Sequence, residues 1–123
     1  MNYTNNQSIF LQIADRICDR ILAGEYKADE RIPSVRELAV EMEVNPNTVM
    51  RSFERLQANE IIYNKRGLGY YVSPSAGEEI RKMRYAQFME ESLPTLFKEM
   101  QLLGVSVDDL SKAYEAYISQ KLL

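Results

Sequence analysis

The side chains best suited to chemistry in this sequence are hydrogen-bond donors that follow a predicted helix start. Asn45 and Pro46 have the pattern of a helix cap and first helical residue, and Asn47, Thr48 and Arg51 come next. A helix amino terminus directs backbone amides outward and attracts anions. Asparagine can bridge N6 and N7 of adenine, and threonine can contact a phosphate or a thymine methyl. These residues therefore indicate recognition of a nucleic-acid duplex.

Further cations lie near a second helix start and in a glycine turn. Arg36 follows a helix cap, and Lys65 and Arg66 precede Gly67 and Gly69. The two glycines permit the positive backbone dihedrals of a tight turn and leave no side chain to block approach to a minor groove or a phosphate. Solvated surface charges are the alternative for all three cations.

Two other assignments have alternatives as well. The side chain of Asn45 is suited to capping the helix, and a base contact is the competing interpretation. Arg51 is suited to a phosphate contact, although it is also spaced for an ion pair with Glu54.

The composition lacks several of the side chains that enzymes most often use for catalysis. The chain has no histidine and a single cysteine, Cys18. Histidine is the commonest general base and metal ligand, and one cysteine cannot form an intrachain disulfide. Cys18 shares helical spacing with Ala14 and Leu22, which favours a buried core thiol over a reactive one. We therefore expect no catalysis and no cofactor or metal.

The overall charge is slightly acidic, with 15 basic and 18 acidic side chains and a net charge of −3. Residues 1–75 carry 9 basic and 10 acidic side chains, so the half with the candidate site is not basic. Because phosphate contacts depend on the local field, a nucleic-acid surface must be a local patch. No apolar run approaches the roughly 20 residues that span a bilayer, and the amino terminus lacks a signal-peptide pattern. We expect a cytoplasmic protein.

The elements that position these residues are three helices and a hairpin. Isoleucines at every fourth residue predict a helix over residues 8–22, with a left-handed cap at Gly24. Ser34 and Glu37 form a predicted capping box, and a third helix begins at Pro46. Residues 61–63 and 70–72 predict two strands joined by residues 64–69, with Tyr70 and Tyr71 on opposite faces. The fold class is mainly α with a small β-hairpin, a winged helix-turn-helix.

The remaining residues predict a short helical domain. Residues 73–77 have the composition of a linker, which divides the chain into domains 1–75 and 76–123. A long helix follows, which Pro94 must kink or split near Ser92. A last helix starts at a Ser106–Asp109 capping pattern, with its apolar residues inward; these are Val107, Leu110, Ala113, Tyr114, Tyr117 and Ile118. Two such helices cannot enclose a core alone, so we expect a homodimer, with a monomeric core as the alternative.

Motifs across the first domain resemble the GntR family of bacterial transcription repressors. They lie in the order and spacing of that family, at residues 11–14, 24–26, 32–39, 44–49 and 65–70. Each motif is weak alone, but five in register are a strong signal. The resemblance implies a winged helix-turn-helix and places Arg36 where an arginine commonly contacts DNA.

The short second domain is similar to that of the YtrA branch of the family, and this similarity implies a dimerisation element. Pro46 and Met50 stand where many family members have arginine, so the operator sequence of other branches does not transfer. The resemblance and the residues together predict a homodimeric, sequence-specific repressor that binds an inverted-repeat operator. The alternatives are a protein-interaction module without direct DNA binding and a repressor gated by an unknown small molecule.

Overall fold

The computed structural model describes residues 7–122, which form helices and one hairpin. The elements are α1 (Ile9–Leu22), α2 (Val35–Met42), α3 (Pro46–Ala58), β1 (Ile62–Lys65), β2 (Gly69–Val72), α4 (Ala76–Gln87), α5 (Leu93–Leu103) and α6 (Val107–Leu122). A π-helical turn, Phe88–Ser92, joins α4 to α5. Two compact units divide the chain, the first ending at Met83 and the second beginning at Arg84. The predicted fold class is confirmed.

An apolar core joins α1, α3 and the hairpin in the first unit. The isoleucine spacing places Ile13 and Ile17 on the buried face of α1, and Phe53 and Leu56 meet this face from α3. Cys18 is fully buried among them, which confirms the predicted core thiol. Burial of a large apolar side chain contributes about 1.5–3 kcal/mol, so this core fixes the orientation of α3.

An acidic residue in the left-handed conformation follows α2 directly and follows α3 after Asn59. Glu43 has φ of 55° and Glu60 has φ of 59°. The backbone amides of the next residues close the helix ends, at 3.0 Å from Val44 to Ala39 and 2.9 Å from Ile61 to Leu56. Glycine is usual at such positions because a Cβ atom disfavours positive φ. Neither end carries the glycine that would have marked it in the sequence.

The strands β1 and β2 form an antiparallel hairpin, called the wing below together with its turn. Lys65 pairs with Gly69, so the turn contains only Arg66, Gly67 and Leu68. The prediction that the turn covers residues 64–69 is therefore wrong at both ends. Gly69, with φ of 117°, lets the strands continue to the tip because its backbone turns where another residue would be strained.

The loop before α2 extends the wing with further backbone pairing. The amide of Ile32 donates to the carbonyl of Tyr70 at 2.9 Å, and the amide of Val72 donates to the carbonyl of Glu30 at 3.0 Å. Arg31 forms a bridge with Tyr71 between these bonds. The wing is thus tied by its second strand to the segment that enters α2.

The first turns of α4 belong to the first unit. Ala76 and Ile80 are 2% and 0% exposed, and Met83 packs against the same core. The unit consequently extends past the boundary predicted between residues 75 and 76. The roles assigned to residues 1–75 and 76–123 stay predictions.

In the second unit, the π-helical turn explains how Pro94 is accommodated. The amide of Leu93 donates to the carbonyl of Phe88, five residues earlier. Proline has no amide hydrogen, and its ring collides with the carbonyl four residues earlier in a regular helix. A wider turn removes that conflict, and the predicted irregularity near Ser92 is confirmed.

The apolar residues of α5 and α6 are largely exposed in the single chain. Met100 is buried, but Phe97 is 52% and Tyr114 is 64% exposed. The prediction that the apolar residues of α6 lie inward is wrong for the isolated chain, because two helices offer no third surface to cover them. Reciprocal hydrogen bonds between Ser106 and Asp109, both of 3.0 Å, confirm the predicted cap.

Candidate nucleic-acid interface

The start of α2 is fixed by its capping box. The amide of Ser34 donates to Oε1 of Glu37 at 2.9 Å, and the amide of Glu37 donates to Oγ of Ser34 at 3.1 Å. These bonds hold the pKa of Glu37 below its usual value. Arg36, the second residue of α2, is exposed, whereas Leu38 and Ala39 are buried. The capping box thus sets the direction in which Arg36 leaves the helix.

The start of α3 is capped as the sequence predicts. Oδ1 of Asn45 accepts a hydrogen bond of 2.8 Å from the amide of Asn47, so Asn45 acts as the cap. Pro46 is the first residue of the helix. The side chain of Asn47 is exposed, and Thr48 is half-buried. The amino end of α3 therefore presents an amide side chain and a hydroxyl at the positive end of the helix dipole.

A buried serine anchors α3 to α1. Oγ of Ser52 donates to the carbonyl of Phe10 at 2.6 Å and lies 3.2 Å from the carbonyl of Thr48. The guanidinium of Arg51 lies 4.2 Å from the centre of the Phe10 ring. Arg51 is exposed, and the cation–π contact restrains its side chain while the guanidinium keeps its positive charge. This contact replaces the ion pair with Glu54 that the spacing allowed.

The wing presents exposed cations at its tip. Arg66 and Gly67 are exposed in the turn, and Gly67 has the positive φ that the sequence predicts, 79°. Nζ of Lys65 lies 4.3 Å from the centre of the Tyr71 ring, which stacks on Tyr63. The charge of Lys65 is therefore held on an aromatic support.

Tyr70 and Tyr71 lie on opposite faces of the wing. Tyr70 packs edge-on against Phe53, with ring centres 4.8 Å apart, and Tyr71 stacks on Tyr63 at 5.8 Å. The hydroxyl of Tyr63 donates to Asp29 at 2.9 Å, and this bond raises the pKa of Tyr63. The predicted alternation of the two tyrosines is confirmed.

One residue that positions the wing has no signal in the sequence. Nε of Arg31 donates to the carbonyl of Leu68 at 3.0 Å, across 37 residues of chain. A Cβ atom on Gly69 would lie 2.9 Å from the same nitrogen. Arg31 therefore braces the wing tip, and Gly69 leaves room for it. A pairing over this separation cannot be deduced from spacing or capping patterns.

A second brace joins α1 to α2. The guanidinium of Arg20 donates to the hydroxyl of Tyr26 at 2.7 Å and to Oε2 of Glu41 at 2.5 Å. The hydrogen bond to Glu41 raises the pKa of Arg20 and lowers the pKa of Glu41. Arg20 thereby links α1 to α2 and to the segment that follows α1.

Residues 7–122 contain neither a metal-binding cluster nor a membrane-spanning helix. Within this range, no His, Cys, Asp or Glu side chains are grouped closely enough to hold a metal ion. None of the helices in the same part of the chain has the length and apolar character to cross a membrane. The exposed donors and cations of α2, α3 and the wing are thus the features best suited to binding.

Known proteins match both the fold and the sequence. The family described as bacterial regulatory proteins, gntR family, matches residues 10–72. The HTH-type transcriptional regulator YhcF of Bacillus subtilis (strain 168) is 30% identical over 115 residues, which cover 94% of this chain and 93% of the relative. The HTH-type transcriptional repressor YtrA of the same strain is 32% identical over 102 residues, covering 83% of this chain and 78% of the relative.

A solved structure agrees with these relatives. The crystal structure of a GntR-family transcriptional regulator from Bacteroides thetaiotaomicron is 48% identical, with a TM-score of 0.81. The match covers 93% of this chain and 99% of that one. All these relatives are transcriptional regulators, which form a non-enzymatic class. The match over most of the winged helix-turn-helix shows that this chain belongs to the GntR family of transcriptional regulators, whose helix-turn-helix domain binds DNA.

Proposed function

We propose that this regulator is a cytoplasmic homodimer that represses transcription by binding an inverted-repeat operator. The DNA-binding surface is formed by Arg36, Asn47, Thr48, Arg51, Lys65, Arg66 and Gly67. The observation that carries this proposal is the exposed amino end of α3, where Asn45 is engaged as the cap and Asn47 is exposed to read bases. Repression is supported by the similarity to YtrA, which is named a repressor.

Homodimerisation is supported by the exposed apolar side chains of the second unit. Phe88 is 51%, Leu102 is 84% and Tyr117 is 53% exposed. Water-exposed apolar patches of this kind are typical of interfaces, and most soluble homo-oligomers have twofold symmetry. A twofold axis would present two copies of α3 to two half-sites, so the operator is expected to be an inverted repeat.

The test begins with selection of genomic fragments that the purified protein binds, followed by anisotropy titrations on the selected operator. Arg36→Ala and Asn47→Ala are expected to weaken binding by about 1–3 kcal/mol because each removes a base contact. Lys65→Ala removes a phosphate contact, so its effect is smaller and uniform across sequences.

Arg16→Ala is the matched control, because it removes an exposed cation from α1 rather than from the proposed surface. Parent-like binding by all three variants would show that the surface is wrong. Absence of duplex binding by the parent at low salt would instead favour the protein-interaction alternative.

A further inference from the structure

An open groove lies between α2 and the start of α3. It has a volume of about 480 Å³ and is lined by Arg36, Ala39, Val40, Val44 and Pro46. Four of these five side chains are apolar, and Arg36 supplies the only charge. The groove can therefore take an apolar group that lies beside a hydrogen-bond acceptor.

The exposed apolar side chain of Val40 has no role in the core of the first unit. Its side chain is 80% exposed, whereas Leu38 and Ala39 supply the buried face of α2. Arg36 and Val40 are four residues apart on one helix and hence share a face. Pro46 is exposed and directly precedes Asn47. The groove thus lies between the two side chains to which we assign base contacts.

The carboxylates of α2 on either side of Val40 are engaged with partners in the first unit. Glu37 is bonded to Ser34, and Glu41 is bonded to Arg20. Their charge is thereby drawn toward the cap and toward α1, which lowers the repulsion that a phosphate would meet near the groove. These contacts allow a duplex to approach this side of α2.

Thymine offers the matching chemistry in the major groove. Its C5 methyl is the apolar group on the base edges there, and it is read by aliphatic contact. We propose that the groove holds the C5 methyl of an operator thymine, so that Val40 and Pro46 select thymine next to the base contacted by Arg36. This inference rests on the proposed DNA-binding surface and names a specificity contact within it.

The experiment replaces each operator thymine in turn by deoxyuridine, which pairs identically but lacks the methyl. At one position in each half-site, the parent is expected to bind the deoxyuridine operator about fourfold more weakly, the effect of roughly 0.8 kcal/mol per buried methyl. In Val40→Ala, this preference should fall below about twofold, because one wall of the groove is missing. Leu22→Ala, which shortens an exposed apolar side chain of α1, should keep the parental preference.

Two results would overturn the inference. The first is equal binding of every deoxyuridine operator and the parental operator. The second is a methyl preference that Val40→Ala leaves unchanged. Either result would occur with the operator still bound, whereas failure of the proposed function would appear as loss of operator binding by the parent protein itself.

Discussion

At the scale of residues, the candidate site contains two kinds of cation. Arg36 leaves a capped helix end and is exposed, whereas Arg51 and Lys65 rest on the rings of Phe10 and Tyr71. An aromatic support restricts the stem and keeps the charge, so less conformational entropy is lost when a phosphate is bound. This difference favours base reading by Arg36 and backbone contacts by the other two.

Arg31 is expected to act on DNA binding through the wing. In Arg31→Met the donor to the carbonyl of Leu68 is lost, so the wing tip is less well positioned. A single hydrogen bond contributes about 1 kcal/mol, and operator affinity is therefore expected to fall about fivefold. Amide exchange at Gly67 and Leu68 should become faster.

The control for this prediction is Arg16→Met on α1. It should match the parent in affinity and in amide exchange at the wing. Unchanged exchange at the wing in Arg31→Met would contradict the bracing role, even if affinity fell.

Glu60 is expected to reduce the stability of the fold. Its φ of 59° places a Cβ atom in the left-handed region, which glycine occupies without that penalty. Glu60→Gly should therefore raise the free energy of unfolding by about 1 kcal/mol, measured by urea denaturation. Glu60→Gln keeps the Cβ atom and should be close to the parent. A lower unfolding free energy for the glycine variant would refute this account.

At the scale of elements, hydrogen bonds at helix starts decide where α2, α3 and α6 begin. Ser34, Asn45 and Ser106 each satisfy an amide of the first turn. The two capping boxes also hold the pKa values of Glu37 and Asp109 below their usual values. The position of the candidate site is consequently linked to the ionisation of a carboxylate.

The stability of the first unit should fall in acid. A carboxylate with a lowered folded-state pKa contributes stability above its unfolded pKa, 4.5 for Glu37, and loses that stability as pH falls through the folded value. The urea midpoint is therefore expected to decrease between pH 5.5 and pH 3.5. In Glu37→Gln the decrease should be smaller, because the group cannot titrate. The control is Glu54→Gln, which removes an exposed carboxylate of α3. If the urea midpoint of Glu37→Gln decreased as much as that of the parent, the capping contribution would be excluded.

At the scale of the whole molecule, the two compact units differ in how well they cover their apolar surface. The first has a buried core, whereas the second leaves Leu103 and Val107 each 76% exposed. Dimerisation would also raise the DNA affinity of this slightly acidic chain. Two cationic patches on one duplex bind with an increased effective concentration. The proposed dimer would cover the exposed apolar side chains of the second unit and would place two cationic patches on one duplex.

Phe97→Glu should convert the proposed dimer to a monomer. Phe97 is 52% exposed on α5, so the substitution is tolerated by the single chain but places a charge in the interface. Sedimentation equilibrium at micromolar concentration is expected to give the monomer mass, with weaker operator binding. Tyr114→Lys on α6 should behave in the same way. Leu22→Glu in the first unit is the control and should stay dimeric. If the parent protein itself sedimented as a monomer, the proposed dimer would be disproved.

The sequence by itself determined the features that depend on neighbouring residues. Helix starts, the cap at Asn45, the positive φ at Gly67 and the irregularity before Pro94 follow from hydrogen bonds and sterics within a few residues. The fold class followed because these signals occur in one consistent order. The exposed position of Arg36 and Asn47 could be expected for the same reason.

Tertiary structure decided the contacts between distant segments. The bond from Arg31 to Leu68 and the bond from Arg20 to Glu41 join residues whose sequence separation carries no pattern. The left-handed conformation of Glu60 could not be predicted from the sequence either, because the fold imposes it against the conformational preference of glutamate. Such features depend on the packing of whole elements, whose energy is summed over many side chains and is not encoded in any single stretch of the chain.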